Sequence, residues 1–178
     1  MASDAFTRAD ETPLSTNNWA SDLFGGINLI SNTVGNAAAA DKASYRTDSS
    51  VQDSQIKIAT VGTGDGGPAI CLDGSSNFYM VNNVLVTTIE LYKCVAGVFT
   101  SIASVAGGYA LNDTIRIRRS GGNVIISKNG TDILTFADST FTTGFDGMHC
   151  FNNVIRMDDW NNNVGGASQS RMPLLGVG

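Results

Sequence analysis

The sequence predicts an all-β fold of two packed antiparallel sheets, and three observations carry that prediction. In residues 113–130, Thr114, Arg116 and Arg118 alternate with Ile115 and Ile117, the period of two of a strand with one wet and one buried face. Gly121-Gly122-Asn123 and Asn129-Gly130 then supply tight turns around the β-branched run Val124-Ile125-Ile126, which makes the segment an antiparallel meander. Finally, only 15% of the residues are charged and 20 are Gly, a composition of short strands joined by turns rather than of helices. A meander needs a second apolar layer over its inner face, and the rest of the chain is available to provide it.

The chain has 178 residues, enough for one sizeable core. Its formal charge of −5 argues against a partner bound through a phosphate backbone, which requires clustered Lys and Arg. The local group Arg116, Arg118 and Arg119 reads as a solvated strand face rather than an anion site. No apolar run reaches the roughly 20 residues that span a bilayer, and residues 1–8 hold no apolar stretch of the signal-peptide kind. Neither a nucleic-acid nor a membrane partner is therefore expected. Cys71, Cys94 and Cys150 are odd in number and widely spaced, so they form neither a disulfide framework nor a zinc site and are read as buried thiols.

In chain order, the first expected strand surrounds Phe6, and Pro13 and Asn17-Asn18 interrupt the pattern before Trp19. Residues 27–30 are apolar enough for a strand, 32–36 form a turn-rich patch, and 37–40 are too few for an isolated helix. Alternation resumes over 51–58, with Ile56 and Ile58 on one face. Residues 61–68 read as a loop by composition. The glycines at 64–67 lack the following Lys-Ser/Thr and helix of a phosphate cradle, so nucleotide binding is not expected. A buried strand at 69–72, a turn at 73–77, a return at 78–81 and further strands within 84–94 and 98–105 follow. After the meander come a polar stretch at 138–143, a turn at 144–147, and closing strands at 148–151 and 154–160. Residues 1–160 thus form one β-sandwich. Residues 161–178 form a linker and an apolar tail, in which Met172, Leu174, Leu175 and Val177 are expected to dock into a neighbour. Burying such side chains is worth about 1.5–3 kcal/mol each.

No catalytic residue is assigned. Hydrolysis of a glycosidic bond needs two carboxyls facing one cleft. Glu11 and Glu90 lie in no such pattern, and the adjacent Asp158 and Asp159 point to opposite sides of a strand. His149, the one histidine, sits between Met148 and Cys150 and reads as a core or edge residue. For sugar binding without cleavage, the candidates are Trp19, Tyr79, Tyr109 and Trp160 as stacking surfaces, with Asn82 and Asn83 for hydroxyls; the competing reading places the tryptophans in the core. No cofactor and no catalytic metal are expected. A structural calcium on Asp65 or Asp73 is the one cation considered, although Asp-Gly in a loop is ordinarily turn chemistry.

Several motifs resemble, in order, the concanavalin A-like lectin/glucanase superfamily, in particular its small laminin-G-like jelly-roll modules of bacterial and phage proteins. The opening Asp4-Ala-Phe-Thr-Arg-Ala-Asp10 is similar to an Asp-x-Phe-x-Arg start. Residues 67–79, Leu91-Tyr92-Lys93 with 97–100, the strand 113–118, Lys128-Asn129-Gly130, 138–140, 144–147 and 157–160 follow in the group's order. The resemblance covers about residues 4–160. It implies a jelly roll of two antiparallel sheets with first and last strands side by side, and no single activity. The apolar tail further resembles that of tailed-phage virion components. The leading expectation is accordingly a non-enzymatic virion surface protein, a capsid decoration or tail-attached module, partnered by itself or other virion proteins. The alternative is a carbohydrate-binding module or phage adhesin recognising polysaccharide, with a glycoside hydrolase third.

Overall fold

The computed structural model describes residues 1–37, 39–62, 65–84, 87–151 and 154–162. Fifteen strands are seen among them: β1 (Ser3–Asp4), β2 (Trp19–Ser21), β3 (Asn28–Ile30), β4 (Thr33–Gly35), β5 (Lys42–Arg46), β6 (Asp53–Thr60), β7 (Gly66–Leu72), β8 (Phe78–Val84), β9 (Thr88–Val95), β10 (Val98–Ala106), β11 (Thr114–Ser120), β12 (Asn123–Lys128), β13 (Thr131–Ala137), β14 (Phe145–Cys150) and β15 (Arg156–Asn161). They build two antiparallel sheets. The eight-stranded sheet has the order β13-β12-β11-β6-β15-β4-β3, with β1 added on β15, and the seven-stranded sheet has the order β10-β9-β8-β7-β14-β5-β2. The fold is the expected jelly-roll sandwich. The terminal strands lie side by side, Ser3 opposite Asn161 and Asp4 opposite Trp160.

Alternation explains the layering. In β6 and β11, Ile56, Ile58, Ile115 and Ile117 point inward and are fully buried. They meet Ile70, Tyr79, Val81 and Leu91 of the opposite sheet in one inter-sheet core. The polar alternates pair along the outer surface: Arg116 is bound to Asp53, and Arg118 meets Asp132 at 2.8 Å. Arg119, in phase with Ile117, donates to the carbonyl of Phe141 at 2.6 Å. The basic group expected to be a solvated face is thus occupied by intramolecular partners.

The seven-stranded sheet carries a second apolar cluster on the face turned away from that core. Ala43, Ala69, Leu72, Phe78, Met80 and Cys94 are buried there under Phe24, Tyr45, Tyr92, Phe99 and Phe145. A sheet that is apolar on both faces loses the alternating signature of a half-exposed strand. All seven residues of β7 are buried, so the composition of Gly66-Gly67-Pro68 misleads: these residues are strand, not loop. For the same reason, only Gly144 belongs to the turn expected at 144–147, and Phe145 already opens β14. Two further strands depart from the sequence reading. β4 lies inside the expected turn patch 32–36, and β5 had no counterpart there. Phe6 lies outside any strand, with φ +54 and its ring in the core.

No disulfide joins the three buried cysteines. Among the described residues, no helix is long and apolar enough to cross a membrane.

Candidate functional site

The register of the seven-stranded sheet builds a hollow at one end of its outer face. β14 runs antiparallel to both β7 and β5, so the end of β14 lies beside the starts of the other two. Asp41 just precedes β5, Asp65 just precedes β7, and Phe151 just follows β14. Backbone bonds fix the three: Phe151 N–H donates to Asp65 O at 2.8 Å, and Ala40 N–H to Phe151 O at 2.8 Å. His149 sits opposite Gly67 on one neighbouring strand and Ala43 on the other. These small neighbours leave room for an imidazole on this face.

A cavity of about 200 Å³ results, walled by Asp41, Asp65 and His149 at this end and by Met80, Asn82, Tyr92, Phe99 and Phe151 around them. Met80 and Tyr92 are cross-strand partners, and Phe99 approaches the His149 ring with centroids 5.2 Å apart. Phe78 flanks the imidazole on another side at 5.9 Å. Three aromatic side chains and a thioether thus meet two carboxyls, an amide and an imidazole, the mixture of apolar wall and few polar groups typical of small-ligand sites.

The polar groups are mutually oriented. His149 Nε2 lies 3.0 Å from Asp41 Oδ1, a hydrogen bond that ties the imidazole to the loop before β5. His149 is 2% exposed, and its Nδ1 has no hydrogen-bond partner. Asn82 Oδ1 accepts from Gly66 N–H at 2.9 Å and Asn83 N–H at 3.0 Å, while its amide donates to Asp65. Burial pushes the Asp65 carboxyl up; the Asn82 amide and nearby His149 pull against that, and the negative neighbours Asp41 and Glu90 reinforce it. Tyr92 is pushed up to about 12 by burial and by its hydrogen bond to Glu90.

Of the residues named from the sequence for sugar binding, only Asn82 lines this cavity. The aromatic assignments are corrected by burial. Trp19 and Trp160 pack edge to face in the core at 5.1 Å, and the Arg46 guanidinium lies 5.6 Å from each ring. Trp160 borders a separate hollow of about 360 Å³ between β1 and β15, yet it is fully buried and donates its indole N–H to Ser54 Oγ at 2.9 Å. Tyr79 is fully buried, and Tyr109 is 5% exposed. Asn83 turns inward, and its Oδ1 accepts from Tyr109 N–H at 3.0 Å. None of these rings offers a face to a sugar. The tail residues Met172, Leu174, Leu175 and Val177 lie outside the described residues.

Of the two aspartates considered for calcium, Asp65 lines the cavity and Asp73 lies in a turn. Asp73 accepts from Ser75 N–H at 2.8 Å and from the Asn77 side chain at 2.8 Å, which is turn chemistry. Among the described residues, no group of three or more His, Cys, Asp and Glu is placed to hold a metal ion. The sequence reading also missed a convergence of acids. It sought paired carboxyls along one strand, whereas Asp41 and Asp65 come from two separate loops. Parity was the available signal, since residues 145, 147 and 149 of β14 share the face of 78, 80 and 82 of β8.

The structural comparisons agree with this architecture. A Bacillus subtilis carbohydrate binding module, CBM66, superposes with a TM-score of 0.62 at 15% identity, covering 80% of this chain and 91% of that one. The Caenorhabditis elegans galectin LEC-6 gives 0.51 at 12% identity, covering 83% and 97%. A Bacillus licheniformis β-glucanase gives 0.55 at 10% identity, covering 90% and 94%. The chain has the concanavalin A-like jelly-roll fold of lectins and glucanases. No family model and no curated protein sequence matches it.

Proposed function

We propose that this chain is a carbohydrate-binding module that holds its ligand, without cleaving it, in the outer-face cavity of the seven-stranded sheet. The observation that carries this reading is the convergence of Asp41, Asp65, Asn82 and His149 with the rings of Tyr92, Phe99 and Phe151 around one hollow. Sugars present alternating C–H faces and hydroxyls, and a pocket of aromatic walls with fixed hydrogen-bonding groups complements both. The carbohydrate binding module and the galectin that share the fold support the same reading. Binding rather than hydrolysis is favoured because both carboxyls are already engaged, Asp41 by His149 and Asp65 by Asn82. The virion-surface role expected from the sequence depends on a tail outside the described residues, and no observation of the sandwich favours it.

A glycan array, followed by calorimetry on its hits, tests the reading. Saturable binding that drops at least about tenfold in both Tyr92→Ala and Phe151→Ala, with the fold intact by circular dichroism, is expected. Absence of binding to every glycan, or binding indifferent to both substitutions, removes the proposal. Release of reducing ends from a bound oligosaccharide replaces it with a hydrolase.

A further inference from the structure

The hydrogen-bonding groups of this cavity are unusual in sign. Several of its polar side chains are already paired inside the protein. His149 Nε2 is paired with Asp41, the Asn82 amide donates to Asp65, and the Tyr92 hydroxyl to Glu90. The carboxyl oxygens of Asp41 and Asp65 remain as acceptors on two sides of the hollow. His149, in the lining, also has a buried Nδ1 with no hydrogen-bond partner, an unmet polar atom beside a ligand-sized hollow.

Charge agrees with hydrogen bonding. No Lys or Arg lines the cavity. Lys42, next in sequence to Asp41, turns its ammonium to the carbonyl of Phe24 at 3.1 Å. Two carboxyls, with Glu90 close enough to act on Asp65, thus share a lining that holds no ammonium or guanidinium. Tyr92, Phe99 and Phe151 also line it, and aromatic faces attract a cation as well as a sugar C–H surface.

We infer that the cavity selects basic sugars: its ligand is a polysaccharide carrying free, protonated amino groups, such as a deacetylated hexosamine polymer, in preference to neutral or acidic glycans. An ammonium brings three donors and a positive charge to the two carboxyls. A uronate or sulfated sugar brings acceptors and negative charge to groups that repel both. An acetamido sugar loses the charge that pairs with the two carboxyls. This inference rests on the carbohydrate reading above and narrows it to a ligand class.

Calorimetry with soluble oligomers of glucosamine, N-acetylglucosamine and glucose, matched in length, tests it. Glucosamine oligomers are expected to bind at least about tenfold more tightly than either comparison, and the advantage shrinks as salt is raised. Asp65→Asn and, independently, Asp41→Asn are expected to abolish the advantage while circular dichroism stays unchanged. Equal or tighter binding of the neutral oligomers overturns the inference and leaves the carbohydrate reading standing. Failure of all three oligomers, together with an empty glycan array, overturns both. A linear polyamine that binds as tightly as the glucosamine oligomer shows that charge alone is read, and overturns the assignment to sugars.

Discussion

The Asp4 carboxylate accepts the indole N–H of Trp19 at 2.8 Å. The same carboxylate caps Phe6 N–H at 2.8 Å and grips the Arg8 guanidinium at 2.7 and 2.8 Å. The opening Asp-x-Phe-x-Arg is therefore a structural staple. It pins the left-handed turn at Phe6 and ties the first strand to an aromatic ring that the sequence had offered as a ligand platform.

Removing that staple strands several groups at once. Asp4→Ala leaves the buried Trp19 indole N–H without its acceptor and removes one of the two carboxylates that hold Arg8, with Glu11 the other; an unsatisfied buried donor costs about 1–3 kcal/mol. Urea unfolding is expected to show a loss of that size, with Asp4→Asn intermediate. A loss below about 1 kcal/mol would contradict the role given to Asp4.

Acid should weaken the fold in a defined window. Burial acts to raise the Glu11 carboxyl, but bonds from Thr16, Ser15 and Arg8 outweigh it and hold it at about 2. Asp138 is held well below the carboxylate range in the same way: burial opposes, while Lys93, Tyr79 and Thr140 prevail. A depressed folded value means these groups stabilise fully above the unfolded range near about 4, and that contribution is lost as pH falls through the folded values. Asp146 has the opposite sign, raised by burial despite bonds from Ser49, Val51 and Asp53; its stabilising effect is lost as pH rises, so it offsets part of the trend. Melting temperature should fall from about pH 5 to about pH 2, with a shallower slope in Glu11→Gln. Equal slopes in the two proteins would count against this account.

The thiols should be inert. Burial pushes Cys71 and Cys94 each up to about 12, and Cys150 is buried as well, so the thiolate that reacts is absent near neutral pH. A colorimetric thiol reagent is expected to leave the native protein unlabelled and to titrate all three cysteines in denaturant. Rapid labelling of the native state would contradict the packing described.

Gly144 is the tightest approach in the turn that feeds β14. Its φ is +130, and an added Cβ would sit 2.5 Å from the carbonyl carbon of Cys71. Backbone strain and a main-chain clash combine in Gly144→Ala, which is expected to destabilise by at least about 2 kcal/mol. Chemical denaturation measures it, and a neutral result would show that the turn relaxes.

How much of this was legible in the sequence follows from burial. The meander β11-β12-β13 was readable because one face is wet, so Arg116 and Arg118 alternate with Ile115 and Ile117. β7 was only partly readable, since a strand covered on both faces has no such alternation and its glycines imitate a loop. β4 is short, and turn residues flank it. At the site, Asn82 was within reach of the sequence reading. The stacking partners were not, because residue type does not reveal which aromatic is exposed: Trp19, Tyr79 and Trp160 fill the core, while Tyr92, Phe99 and Phe151 reach the cavity. The pairing of Asp41 with His149 spans 108 residues and exists only once β5 and β14 are adjacent.

The central claim is that ligand occupies the outer face of the seven-stranded sheet at the β5–β14–β7 end. Amide chemical-shift mapping during titration with a glucosamine oligomer tests it most directly. The account predicts saturable shifts concentrated at Asp41, Asp65, Asn82, Tyr92, His149 and Phe151, with the eight-stranded sheet unmoved. Shifts centred on the β1–β15 hollow or on β11-β12-β13 would contradict it.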